Sequence, residues 1–252
     1  MRHRHGGRMT ADEVYGWLEQ EIIVGALKPR ERLLELELCK HLGISRTLLR
    51  EVFRRLEGGG LVKFHPNRGV AVRDFTPDEI EDVYSVRLVL EKMAAPLIIQ
   101  KLTRDDLRTL RQLNRAFEAA VGRADMPAMV LANRAFHGQL AQLSDNRFLC
   151  QLLNTAFLHT HQARYLAWAD KQSGQQSIRE HCEILSAAAQ KDLARYVRVT
   201  EKHLARGKGD YQRVFTAKRF PVQGRVISRR GAARETPEAV PMAKERRKTI
   251  TR

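Results

Sequence analysis

Apolar residues recur every three or four positions along most of the chain, with a different rhythm only between residues 61 and 75. Val14, Leu18, Ile22 and Leu27 form the first helical stripe, which Pro29 ends, so a helix is expected over about 11–26. Leu36, Leu38 and Leu42 mark a short amphipathic helix ending at Gly43. Ser45 stands where its hydroxyl caps a third helix, and Leu49, Val52, Phe53 and Leu56 turn that helix toward a core. Helix, short glycine-bearing turn, helix is a helix-turn-helix spacing. After Gly58–Gly60, LVKFH and GVAVR read as two strands joined by the turn PNR, a wing with Asn67 and Arg68 at its tip.

Residues 76–206 read as nearly continuous helix. In TPDEIEDVYSVRLVLEKMAAPLIIQKL the stripe runs through Ile80, Val83, Val86, Val89 and Leu90, and the next helix opens on a Thr103/Asp106 capping box. Further helices are expected at about 127–144, 146–169, 174–190 and 191–206. No strand alternation and no G-x-G-x-x-G loop interrupts them, so the expected fold is mainly α, an N-terminal winged helix-turn-helix domain followed by an all-helical bundle. The expected boundaries are a flexible N-terminus at 1–10, the reader domain at 11–75, the bundle at 76–212 and a disordered basic tail at 213–252.

Composition narrows the function. The chain has 252 residues, 43% hydrophobic and 29% charged, enough for a sizeable core. No run approaches the roughly 20 apolar residues of a membrane-spanning helix, and no apolar stretch follows the N-terminal basic residues, so a cytoplasmic protein is expected. Cys39, Cys150 and Cys182 lie far apart and outside CxxC spacing, which argues against disulfides or a cysteine zinc site. The formal charge of +16 points to nucleic acid before a membrane surface. Residues 213–252 hold twelve Lys/Arg against three Asp/Glu, so more than half of the excess sits in the tail. With 6% aromatic residues, a general RNA-binding protein that stacks bases is disfavoured.

The outer face of the third helix carries Arg46, Thr47, Arg50 and Arg54. Arginine there can bond guanine O6 and N7 or clamp phosphate, and Ser45 and Thr47 can bond phosphate at the helix N-terminus. An isolated arginine-rich helix is more often a solvated surface, but here the whole order of residues 22–75 resembles the winged helix-turn-helix domain of GntR-family transcriptional regulators. Ser45, Arg46, Thr47, Arg50, Glu51, Leu56, Glu57, Gly60, Leu61 and Val62 fall on the family pattern. The resemblance implies DNA contacts from Arg46, Thr47, Arg50 and the wing. Leu36 stands where many members place a DNA-contacting arginine, so that contact is expected to be absent.

Asn133 and His137 lie four apart on one helical face, and His181 and His203 sit in the middle of later helices. Histidines from separate helices can converge on a divalent ion, although a single core histidine is usually just packed. Arg87-x-x-Leu90-Glu91, Asn133-x-x-Phe136-His137, Glu180-His181-x-x-Ile184-Leu185 and His203 resemble the FCD effector domain of the FadR subfamily. In that domain an Asp and three His commonly hold a metal that helps bind a small carboxylate. The resemblance implies a zinc- or nickel-like ion on Asn133, His137, His181 and His203, with the neutral Asn133 replacing the carboxylate. Arg87 and Arg164 are candidate effector contacts, because guanidinium pairs bidentately with carboxylate.

The expected function is therefore a homodimeric regulator that binds an inverted-repeat operator and is released by a small carboxylate. A metal-dependent enzyme on the helical domain is the rival reading, since three histidines with an open position also suit catalytic zinc. It lacks any acid/base pair with motif spacing, nucleophile elbow or phosphate loop.

Overall fold

The computed structural model describes residues 9–168 and 171–217. The N-terminal unit holds α1 (Ala11–Ile23), β1 (Arg32–Leu33), α2 (Glu35–Leu42), α3 (Arg46–Gly58), β2 (Val62–His65) and β3 (Gly69–Val72). Thr10 opens α1 with a reciprocal capping box to Glu13. The helix ends at Ile23, three residues before the expected boundary, because Gly25 turns the chain at φ 74°. Leu27 stays buried through that turn.

Gly43 caps α2 in the left-handed region and Ser45 caps α3, as the residue pattern requires. Leu49, Val52, Phe53 and Leu56 are fully buried, each worth about 1.5–3 kcal/mol of apolar transfer. The wing has three strands in the order β1-β3-β2, all antiparallel. Sequence reading missed β1, which pairs Arg32 with Ala71 and Leu33 with Val70. Two residues are too short a run to show alternation.

The helical domain follows as α4 (Pro77–Lys101), α5 (Arg104–Gly122), α6 (Met126–Leu143), α7 (Arg147–Ala167), α8 (Lys171–Ala189) and α9 (Leu193–Ala217). The stripe expected on α4 is rotated. Its buried face is Ile80, Tyr84, Arg87, Ala94, Ala95, Ile98 and Ile99, while Val86 and Val89 are 56% and 66% exposed. Arg87 can occupy an inner position because Glu91 and Thr160 bond it there. Pro96 lies within α4 on its exposed side. The last helix runs five residues past the expected 212 boundary, and Tyr211 donates from its hydroxyl to the Phe75 carbonyl at 2.5 Å. The rest of the expected tail, 218–252, and residues 1–8 lie outside the described residues.

One apolar cluster runs from α1, α2 and α3 into the helical domain, joining Leu18 and Phe53 to Phe117, Val130 and Trp168. A second fills the far end of the bundle around Ile98, Phe136 and Leu153. Among the described residues no helix is long and apolar enough to cross a membrane.

Candidate functional site

The first candidate surface is the outer side of the reader domain. With four apolar residues of α3 turned inward, Arg46, Thr47, Arg50 and Arg54 are left exposed, and Ser45, half-buried, accepts from the Leu48 N–H at 3.2 Å. Arg50 Nε donates to both carboxylate oxygens of Glu35 at 3.1 Å. Asn67 takes φ 60° at the wing tip, and the Arg68 carbonyl accepts from the Arg32 guanidinium at 2.5 Å. Both tip side chains are exposed, and so is Leu36 on α2, at 51%.

The second site lies inside the bundle. His137 on α6, His181 on α8 and His203 on α9 are all buried, with ligand-capable atoms within 4.8 Å of one another. The rings of His181 and His203 are oriented from behind. His181 Nδ1 lies 3.0 Å from Asn114 Oδ1, and His203 Nδ1 lies 2.7 Å from Glu180 Oε2. Glu180 is in turn held by Arg206 Nε at 2.8 and 3.0 Å. With both Nδ1 atoms serving as donors, the Nε2 lone pairs of His181 and His203 face the cluster.

Burial keeps these imidazoles neutral. It drives His137 and His181 well below their ordinary pKa, and the neighbouring positive groups push the same way. Burial takes His203 down to about 3, against the raising effect of its bond to Glu180. For Glu180 burial alone would raise the carboxyl, but hydrogen bonds from His203 and Arg206 outweigh it and hold the group at about 2. The His203–Glu180 contact is therefore neutral imidazole on carboxylate.

This donor set fits a divalent cation. Among the described residues His137 Nε2 and His181 Nε2 are buried with no hydrogen-bond partner, and three neutral imidazoles with outer carboxylate and amide partners could hold such an ion. Asn133, fully buried on the same face of α6 as His137, would add a neutral oxygen. An ion there would supply a localised positive charge for an anionic ligand.

Two guanidinium groups flank the cluster. Arg87, 1% exposed, bonds Glu91 at 2.6 Å and Thr160 at 3.2 Å and lies over the Phe157 ring. Arg164, 3% exposed, reaches Asn133 Oδ1 with NH1 and His203 Nε2 with NH2, each at 3.3 Å. A small cavity adjoins His137 and is lined also by Glu91, Phe157 and Tyr196.

Residues 10–72 match the family of bacterial regulatory proteins named gntR, and residues 82–206 match the FCD domain. A Bacillus subtilis (strain 168) protein, the HTH-type transcriptional regulator YdhC, is 30% identical over 181 residues, 71% of this chain and 81% of the relative. The chain belongs to the GntR family. The Nta operon transcriptional regulator of Aminobacter aminovorans is 32% identical over 162 residues, 64% of this chain and 75% of that protein. The solved Escherichia coli McbR/YncC shares the fold with a TM-score of 0.74 at 22% identity, over 81% of this chain and 98% of that one. This GntR-family chain is thus an FCD-type transcriptional regulator and a DNA-binding protein, not an enzyme.

In this GntR member the structure gathers every predicted bundle residue, Arg87, Asn133, His137, Arg164, His181 and His203, into one buried cluster. The predicted DNA-facing residues all lie on the reader domain, on or just before α3 and at the wing tip. Sequence reasoning missed the residues behind the histidines, Asn114, Glu180 and Arg206. Glu180 stood in a quoted motif beside His181, and Arg206 follows His203 by three residues, so helical spacing could have suggested both. Also missed were His159 and Tyr165 on α7, which touch the reader domain at Gly59 and Gly25.

Proposed function

We propose that the protein is a homodimeric repressor of an inverted-repeat operator, released when a small carboxylate binds in the helical domain. The observation that carries this reading is a pair of buried guanidinium groups, Arg87 and Arg164, beside a neutral histidine cluster. Among the described residues Arg164 pairs with no carboxylate, and its Nε and Arg87 NH2 have no hydrogen-bond partner. A buried cation in that condition favours an anionic ligand.

Arg46, Thr47, Arg50 and Arg54 would read or clamp the major groove, with Ser45 on phosphate and Asn67 and Arg68 at the wing. Arg50 exchanges its exposed Glu35 pair for DNA, a small cost because such pairs are weak. The dimer reading is supported by Val86, Val89 and Met93, all more than half exposed along the outer side of α4. Two-fold pairing would present two α3 helices to two half-sites.

Effector binding can change operator affinity only through differential affinity for two arrangements of the domains. Support for such a link is that α7 carries Thr160 and Arg164 toward the cluster and His159 and Tyr165 toward the reader. The test is to map bound genomic fragments and titrate their complexes with carboxylates from the adjacent pathway. Release by one such acid supports the reading. Binding indifferent to all of them, with no operator-like motif, would defeat it.

A further inference from the structure

Arg164 stands where the histidine cluster would use its lone pairs. Its NH1 is on Asn133 Oδ1 and its NH2 on His203 Nε2, so two of the four candidate ligand atoms are engaged by one guanidinium. The other two imidazoles keep buried Nε2 atoms that have no hydrogen-bond partner among the described residues. The single lone pair of His203 Nε2 cannot serve the guanidinium and an ion at once, and Asn133 Oδ1 would have to share its oxygen between them. A fixed positive charge within hydrogen-bond distance of two ligands also repels a dication strongly in so dry an interior.

The replacement of carboxylate by amide at position 133 sharpens the conflict. A carboxylate there could neutralise Arg164 and an ion together, whereas Asn133 offers one neutral oxygen. The nearby carboxylates are already committed. Glu91 pairs with Arg87, and Glu180 and Asp210 pair with Arg206.

We propose that Arg164 is a built-in competitor of the divalent ion, so that the cluster holds either the guanidinium or the metal. Metal entry displaces Arg164 and leaves its N–H groups for an anion. The inference rests on reading the helical domain as the effector site, and it gives the metal a second role as the ligand that frees an anion-binding arginine.

The test uses full-length protein stripped with chelator and titrated with Zn²⁺ against a chromophoric competitor. Four proteins are compared: wild type, Arg164→Met, Arg164→Lys and His181→Ala. Removing the charge with Arg164→Met should tighten Zn²⁺ binding by about tenfold or more, since both ligand atoms and the local field are released. Arg164→Lys, which keeps the charge, should stay near wild type, and His181→Ala should lose most of the affinity. Thermal melting of the metal-free forms checks that each is folded.

Equal or weaker Zn²⁺ binding by folded Arg164→Met would overturn the proposal, as would the same gain with Lys as with Met. Unchanged binding by His181→Ala would place the ion elsewhere and also overturn it. Absence of Zn²⁺ binding in every variant would remove the competition and the metal together. Anion-induced release of operator DNA is measured separately, so the effector reading stands or falls on its own.

Discussion

His159 Nε2 lies 3.0 Å from the carbonyl oxygen of Gly59, the residue that closes the recognition helix. This contact joins residues 100 positions apart and fastens α7 to the end of α3. Gly60 takes φ 71°, and a Cβ there would meet His159 Nε2 at 2.7 Å. Gly25, at φ 74°, would meet the Tyr165 ring at 2.5 Å. Thr160, the next residue of α7, and Arg164, a little over one turn farther on, face the buried cluster. The helix therefore touches both halves of the proposed switch.

Gly60→Ala should destabilise the fold by about 1–3 kcal/mol from backbone strain, with a further penalty from the His159 contact. Gly43 also has a positive φ, but nothing lies within 4 Å of its would-be Cβ. Gly43→Ala should therefore cost less. Urea denaturation of both variants measures the difference, and equal losses would show that the α7 contact adds nothing.

Acid should weaken this junction. Burial lowers the His159 pKa, and Arg73 pushes the same way while the Gly59 carbonyl and Glu79 oppose. A folded-state pKa below the ordinary 6.5 means that the unfolded chain takes the proton first, so stability falls as pH drops through and below that value. The difference in urea midpoint between wild type and His159→Gln should be constant above pH 7 and change as pH falls toward 5. A difference that stays flat across this range would show that His159 does not titrate with unfolding.

Arg46→Ala and Arg50→Ala should each weaken operator binding by roughly ten- to a hundredfold while leaving the melting temperature near wild type. Both side chains are exposed, so the fold does not depend on them. Fluorescence anisotropy on operator and scrambled DNA separates base reading from phosphate clamping. Equal losses on both duplexes assign the arginines to the backbone.

Deleting residues 218–252 removes eleven Lys/Arg and three Asp/Glu and leaves α9 whole. Nonspecific DNA affinity should fall and its salt dependence flatten, because fewer counterions are released. Operator preference should persist. Cutting at 213 instead removes the last turn of α9 and Arg213, which pairs with Asp210, and should cost stability as well.

Most of the architecture is written in local pattern. Ser45 and Gly43 punctuate α2 and α3 through caps that any sequence reading can find, and the apolar spacing of α3 leaves its arginines one side to occupy. The stripe on α4 misled because it assumes that valine lies inside and arginine outside. Arg87 reverses this, since Glu91 one turn away and Thr160 on α7 accept from its Nε and NH1, and only the latter contact is invisible in sequence. Family likeness brought Asn133 and the three histidines together. It could not show that Arg164 bonds two of them, which depends on how α7 lies against α6 and α9.

The most direct measurement is operator affinity as a function of carboxylate concentration, for wild type and Arg87→Gln, on a fragment taken from genomic mapping. The account predicts that a carboxylate of the neighbouring pathway weakens wild-type binding, and that Arg87→Gln binds the fragment normally but responds only at much higher concentration. Operator binding that no such acid alters, or a response unchanged by Arg87→Gln, would contradict it.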